Sequence, residues 1–194
     1  MDRVLVFLAD GFEEVEALTI VDYLRRADIN LDTVSIKKDY FVKGSHEIIV
    51  KADKLIDEIN LSDYSALYIP GGSKGAESLR DDQKVIDIVK NFDQDKKIIA
   101  AICAGPIVLE RAGVVSNKSI VSHPSVKCDL KKIGKYEKDE LVLVDGNIFT
   151  SRGAGASIYL ALKLIEKICG KEVKEKLKPG IQQDFVEKYF DFKF

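Results

Sequence analysis

The sequence is short of almost everything that would tie it to a nucleic acid, a membrane or an oxidising compartment. Three cysteines in 194 residues, an odd count with no repeated spacing, argue against a disulfide framework or a zinc site. Lysine and arginine number 30 against 32 aspartate and glutamate, a net charge of −2, so no basic field invites nucleic acid. No apolar run approaches the ~20 residues that span a bilayer. Met1-Asp2-Arg3 leads straight into a strand-like run, without the blocks of a secretory signal. Internal repeats and low-complexity linkers are also missing. These absences predict one domain over 1–194, at work in a reducing cytoplasm, with neither nucleic acid nor membrane as partner.

What is there is alternation. Residues 4–9 are an apolar, β-branched run closed by Asp10-Gly11. Residues 12–27 then place Val15, Leu18, Ile20, Val21 and Leu24 at near-helical spacing, with Arg25-Arg26 in the last turn. Further strands are predicted at 31–36, 47–51, 66–69, 97–102 and 119–122, and helices at 55–59, 83–92, 156–168 and 171–178. Asp145-Gly146 between 141–144 and 147–150 predicts a hairpin. The aromatic tail, with Phe185, Tyr189, Phe190, Phe192 and Phe194, is expected to dock on the body or on a partner subunit. Alternating β and α units predict an α/β fold: a doubly wound, mostly parallel sheet with helices on both faces. In such sheets chemistry collects at the carboxyl ends of the strands.

One such end carries the strongest signal. The run Ile98-Ile99-Ala100-Ala101-Ile102 meets Cys103-Ala104-Gly105-Pro106, and Ile107, Val108 and Leu109 follow. Proline suits a first helical turn, where its missing N–H loses nothing. Cys103 therefore sits where a strand turns abruptly into a helix, as in a nucleophile elbow. A thiol at the positive end of a helix, near unpaired N–H groups, is expected to favour thiolate. Cys103 is the predicted nucleophile. Gly71 and Gly72, after Pro70, offer close approach and N–H donors, and with the Ala104 N–H they could form an oxyanion hole; locally they could equally be a plain turn. Glu13 and Glu14 read as exposed complements of a helix dipole. Glu16, between Val15 and Ala17, either joins them or points inward as a protonated carboxyl. His123 before Pro124 is either structural or part of the site, and His46 reads as surface.

Taken together, Asp10-Gly11-Phe12-Glu13-Glu14-Val15-Glu16, Pro70-Gly71-Gly72, Ala100-Ala101-Ile102-Cys103-Ala104-Gly105-Pro106, His123-Pro124 and Thr150-Ser151-Arg152-Gly153 resemble the ThiJ/PfpI superfamily, in the branch of the Parkinson-associated protein called DJ-one. The resemblance runs collinearly from Val4 to about Val173. It implies a flavodoxin-like three-layer sandwich and a homodimer. It also implies an oxidation-prone Cys103 hydrogen-bonded by a protonated Glu16, with His123 nearby.

The activities it implies are cofactor-free and metal-free: conversion of 2-oxoaldehydes such as methylglyoxal to 2-hydroxy acids, or removal of such adducts from proteins. The alternative is a redox sensor or chaperone acting through oxidation of Cys103. A cysteine peptidase or amidotransferase ranks third, because Ala104 stands where the peptidases of the superfamily carry histidine and Pro124-Ser125 follows His123. Three features depart from the pattern. Ala154 replaces a proline, the tail beyond Gly180 does not match, and no cysteine lies between Gly44 and Lys51.

Overall fold

The computed structural model describes residues 3–194. Eleven strands follow in chain order: β1 (Arg3–Leu8), β2 (Leu31–Ser35), β3 (Phe41–Lys43), β4 (Ile49–Lys51), β5 (Lys54–Leu55), β6 (Tyr64–Ile69), β7 (Ile98–Ile102), β8 (Ser119–Ile120), β9 (Lys135–Tyr136), β10 (Val142–Asp145) and β11 (Ile148–Ser151). The helices are α1 (Glu14–Arg26), α2 (Ser73–Asp81), α3 (Gln83–Gln94), α4 (Pro106–Ala112), α5 (Ser157–Cys169), α6 (Lys171–Gly180) and α7 (Gln183–Tyr189). Seven strands make one sheet in the order β10-β11-β7-β6-β1-β2-β5. Within it only the β10–β11 pairing is antiparallel.

Both faces of the sheet are covered, and strand alternation sorts side chains between them. Leu5, Phe7, Leu67, Ile69, Ile99 and Ala101 point to one core with Leu79, Val89 and Leu109 of α2, α3 and α4. Val4, Val6, Ala66, Tyr68, Ala100 and Ile102 point to the other with Ile20, Leu24, Leu160 and Leu164 of α1 and α5. This is the predicted α/β sandwich, and it explains why these strands read as continuous apolar runs.

The chain winds outward from β1 to β2 and β5, then returns to the other side of β1 as β6 and winds outward again. The order therefore reverses between β1 and β6. At such a reversal the loops leaving adjacent strands diverge and open a crevice at the carboxyl edge of the sheet.

Several elements differ from the sequence reading. Residues 55–59 are not a helix. Lys54 and Leu55 pair with Val34 and Ser35 at the sheet edge, and the Glu58 carboxylate accepts the Leu55 N–H at 2.8 Å, a local bond that competes with helix formation. Residues 47–51 are strand only from Ile49, paired with Phe41–Lys43 in a hairpin of its own. In the 119–122 run only Ser119 and Ile120 are strand. Helix α2 is absent from the sequence reading because it has few apolar residues, with only Gly75, Ala76 and Leu79 buried. The tail docks by part of its aromatics: Phe192 and Phe194 pack edge-on against Tyr159 at 6.1 and 4.9 Å. Phe185, Tyr189 and Phe190 stay exposed. Among the described residues no helix is long and apolar enough to cross a membrane.

Candidate active site

Strand β7 ends at Ile102, and Cys103 follows with φ of 61°. A non-glycine residue in this left-handed region costs about 1–2 kcal/mol, so its neighbours must hold it. The Cys103 N–H donates to Ser151 O at 3.0 Å, the Cys103 carbonyl accepts His123 N–H at 2.9 Å, and Gly105 N–H closes the turn on Ile102 O at 2.7 Å. Glycine is required at 105: a Cβ there would lie 2.8 Å from Ile69 O and 2.9 Å from Ile102 O. The sharp turn presents the thiol at the crevice, half-buried.

Helix α1 brings Glu16 to the same place. The residue is 1% exposed. Its Oε2 accepts the Gly71 N–H at 2.8 Å, its carboxyl is hydrogen-bonded to Cys103, and its backbone carbonyl accepts the hydroxyl of buried Tyr68 at 2.9 Å. Gly71 leaves no space for a side chain, since a Cβ would sit 2.6 Å from Cys103 Cβ. The Gly72 and Ala104 N–H groups donate to the sulfur. The predicted hole therefore loses one member: the Gly71 N–H serves Glu16, leaving Gly72 and Ala104.

Burial pushes Glu16 up to about 7, against the bonds from Cys103 and Gly71 that favour its charge. Burial also pushes the Cys103 thiol up to about 12, followed by the negative charge of Glu16 and the hydrogen bond to it. The thiol is thus not lowered as its place before a helix suggested. The bonds from the Ala104 and Gly72 N–H groups lower it, but by less than burial and Glu16 raise it. Glu16 and Cys103 are thus set to share one proton along the hydrogen bond between oxygen and sulfur. Moving that proton to Glu16 creates a thiolate that already has two N–H donors.

His123 stands beside the pair. A Cβ on Gly153 would be 3.7 Å from His123 Cδ2 and 3.9 Å from both Cys103 Sγ and Glu16 Oε1, so the three side chains converge around this glycine. His123 Nδ1 accepts the Ser125 N–H at 3.2 Å, which assigns the proton of the neutral ring to Nε2. The open side is a cavity of about 750 Å³, lined by Gly72, Cys103, Ala104, His123 and Ser125, and on its outer wall by Lys43, Gly44, Ser45 and His46.

That wall was not legible in the sequence. Glu14 is 3% exposed instead of solvated. His46 is exposed as expected, yet its Nδ1 lies 3.0 Å from Glu14 Oε2 and 3.4 Å from Glu13 Oε1. These three residues bring donor atoms within 4.8 Å of one another, close enough to hold a cation; here those atoms bond each other. The other two cysteines, Cys128 and Cys169, are exposed and outside this cavity.

The chain is similar to known proteins over most of its length. The model of the DJ-1/PfpI family matches residues 2–167. Protein dj-1beta of Drosophila melanogaster is 35% identical over 177 residues, covering 91% of this chain and 95% of that protein. The glutathione-independent glyoxalase DJ-1 of Schizosaccharomyces pombe is 34% identical over 180 residues, covering 89% of this chain and 94% of that protein. The crystal structure of Drosophila DJ-1beta superimposes with a TM-score of 0.89 over 93% of this chain and 97% of its own. Oxidized Toxoplasma gondii DJ-1 does so with 0.88 over 94% and 98%, at 35% identity. With the family model spanning most of the chain and relatives above 30% identity matched over nearly their whole length, the chain belongs to the DJ-1/PfpI family.

Proposed function

We propose that the protein converts 2-oxoaldehydes such as methylglyoxal to 2-hydroxy acids, with Cys103 as nucleophile and Glu16 as proton carrier. The observation that carries the reading is the Glu16–Cys103 hydrogen bond, with two N–H donors on the sulfur, opening onto the cavity. One of the relatives bears the name of a glyoxalase that needs no glutathione.

The steps balance without an external oxidant. The thiol proton crosses to the Glu16 carboxylate, the thiolate adds to the aldehyde carbon C1, and the new C1 alkoxide takes the proton back, giving a hemithioacetal. Once sulfur is neutral, the Gly72 and Ala104 N–H groups are free to donate to the C1 oxygen. Glu16, again a carboxylate, removes the C1 proton. The electron pair forms the C1=C2 bond of an enediolate with its charge on the C2 oxygen. Return of that proton to C2 and passage of the C1 hydroxyl proton to the C2 oxygen leave a thioester of the 2-hydroxy acid. Water cleaves the thioester and restores the thiol. A carboxyl with a pKa near the working pH suits transfer in both directions.

The same donors fit a second reading, in which two equivalents of a peroxide oxidise Cys103 to sulfinate as a sensor; the sulfinate oxygens would accept the bonds that the sulfur accepts now. A homodimer is part of the proposal, formed through Val15, Leu18, Phe41, Ile48 and Ile49, which leave apolar surface exposed on α1 and the β3–β4 hairpin. So is a reducing cytoplasm, which would keep the three thiols reduced. Methylglyoxal depletion with lactate quantified tests the activity: turnover is expected in the parent and not in Cys103→Ser. Equal rates in both would hand the case to the sensor.

A further inference from the structure

Glu14 and His46 take no part in the chemistry at Cys103 as drawn above, yet His46 lines its cavity and Glu14 holds the turn that carries it. The buried Glu14 carboxylate accepts the His46 N–H at 2.7 Å and the Ile48 N–H at 3.4 Å through Oε1. Through Oε2 it meets Ser45 Oγ at 3.1 Å and His46 Nδ1 at 3.0 Å. One carboxylate thus fixes both the backbone of the 45–48 turn and the imidazole it carries. A proton on Nδ1 faces the carboxylate, so Nε2 points away, and it has no protein partner among the described residues. The imidazole is 68% exposed and lines the cavity that holds Cys103 and Gly72.

We propose that Glu14 and His46 form a carboxylate–imidazole dyad in which Glu14 is a positioning residue and His46 presents Nε2–H to the C2 oxygen of a 2-oxoaldehyde held at Cys103. The inference rests on the glyoxalase reading and supplies what that reading lacks. When Glu16 removes the C1 proton, the electron pair moves through C2 onto the C2 oxygen, which must be protonated. His46 Nε2–H gives that proton, and the proton released from the C1 hydroxyl as the thioester forms restores the imidazolium.

The surrounding charges favour such a donor. The hydrogen bond that His46 donates to Glu14 and the charges of Glu13 and Glu14 hold His46 above its ordinary value. On its own loop, Lys43 and Glu47 pair with each other. Across the cavity are Lys74 of α2 and Asp10, the latter paired with Lys37.

Two measurements test the dyad, one of them independent of turnover. In Glu16→Gln protein carrying ¹⁵N-histidine, which keeps the Cys103 thiol but loses the proton carrier, methylglyoxal is expected to shift the His46 Nε2 signal, and adding Glu14→Gln to lower the His46 titration midpoint toward that of an ordinary histidine. An Nε2 signal unmoved by methylglyoxal overturns the proposal. In protein with Glu16 intact, His46→Gln should cut kcat by about 10²-fold or more while iodoacetamide alkylates Cys103 at the parent rate. Glu14→Gln should move the corresponding limb of the pH–rate profile to lower pH. Parent-rate turnover in His46→Gln also overturns it. If the parent protein forms no lactate, the glyoxalase reading fails, and the Nε2 signal alone decides whether His46 contacts the carbonyl compound.

Discussion

Glu14 and Glu16 stand two residues apart in the first turn of α1, both almost free of solvent contact, and their surroundings drive them in opposite directions. Burial opposes the charge on each. At Glu14 the bonds from His46, its own backbone N–H and Ser45 outweigh burial and hold the carboxyl at about 2. At Glu16 the bonds from Cys103 and Gly71 do not, and the carboxyl rises to about 7. A fixed anion and a movable proton thus arise from one residue type on one helix, and the number of donors aimed at each decides which is which.

The widest separation between the two should appear in turnover. Glu16→Gln keeps a donor of nearly the same shape but cannot carry a proton. Lactate formation should fall by about 10²–10⁴-fold, while iodoacetamide alkylates Cys103 no more slowly than in the parent, because the Glu16 charge that helps to raise the thiol is gone. A Gln variant that turns over at the parent rate would make the two glutamates equivalent and move the proton-carrier role to His123.

The pH dependence of stability should separate them next, with opposite signs. Glu14 is depressed in the folded state, so its contribution is present above pH 4.5 and lost as pH falls from 4.5 toward about 2. Glu16 is raised, so its contribution is present below 4.5 and lost as pH rises from 4.5 to about 7, at roughly 1.4 kcal/mol per pKa unit. Urea midpoints should therefore fall less steeply with acid in Glu14→Gln, and fall less between pH 4.5 and 7 in Glu16→Gln. Parallel curves for the two variants would dissolve the contrast.

The smallest effect concerns the thiols. Mild peroxide should add two oxygens mainly at Cys103, where N–H donors wait for the product, and less at exposed Cys128 and Cys169. Peptide mapping reads this directly, and equal oxidation of Cys128 would remove the special environment.

Much of the architecture could be read in the chain because it rests on local patterns. Apolar runs such as 98–102 announced buried strands, Gly146 announced the hairpin of Val142–Asp145 and Ile148–Ser151, and Gly170 the end of α5. Helix α2 escaped because few of its residues are apolar. Leu55, Ile56 and Ile59 misled because their helical spacing served a sheet edge and the turn after it.

The same division runs through the site. The sequence by itself determined that a thiol would sit at an abrupt strand-to-helix turn, since small residues and a proline dictate that turn locally. It also determined that a carboxyl of the Glu13–Glu16 group would lie near a strand end. Only the tertiary structure decided which glutamate faces the sulfur, that the Gly71 N–H is given to it, and that Glu14 grips a turn some thirty residues away in the chain. Protonation depends on the donors and solvent that reach each oxygen, and these come from segments brought together only when the sheet and its helices pack.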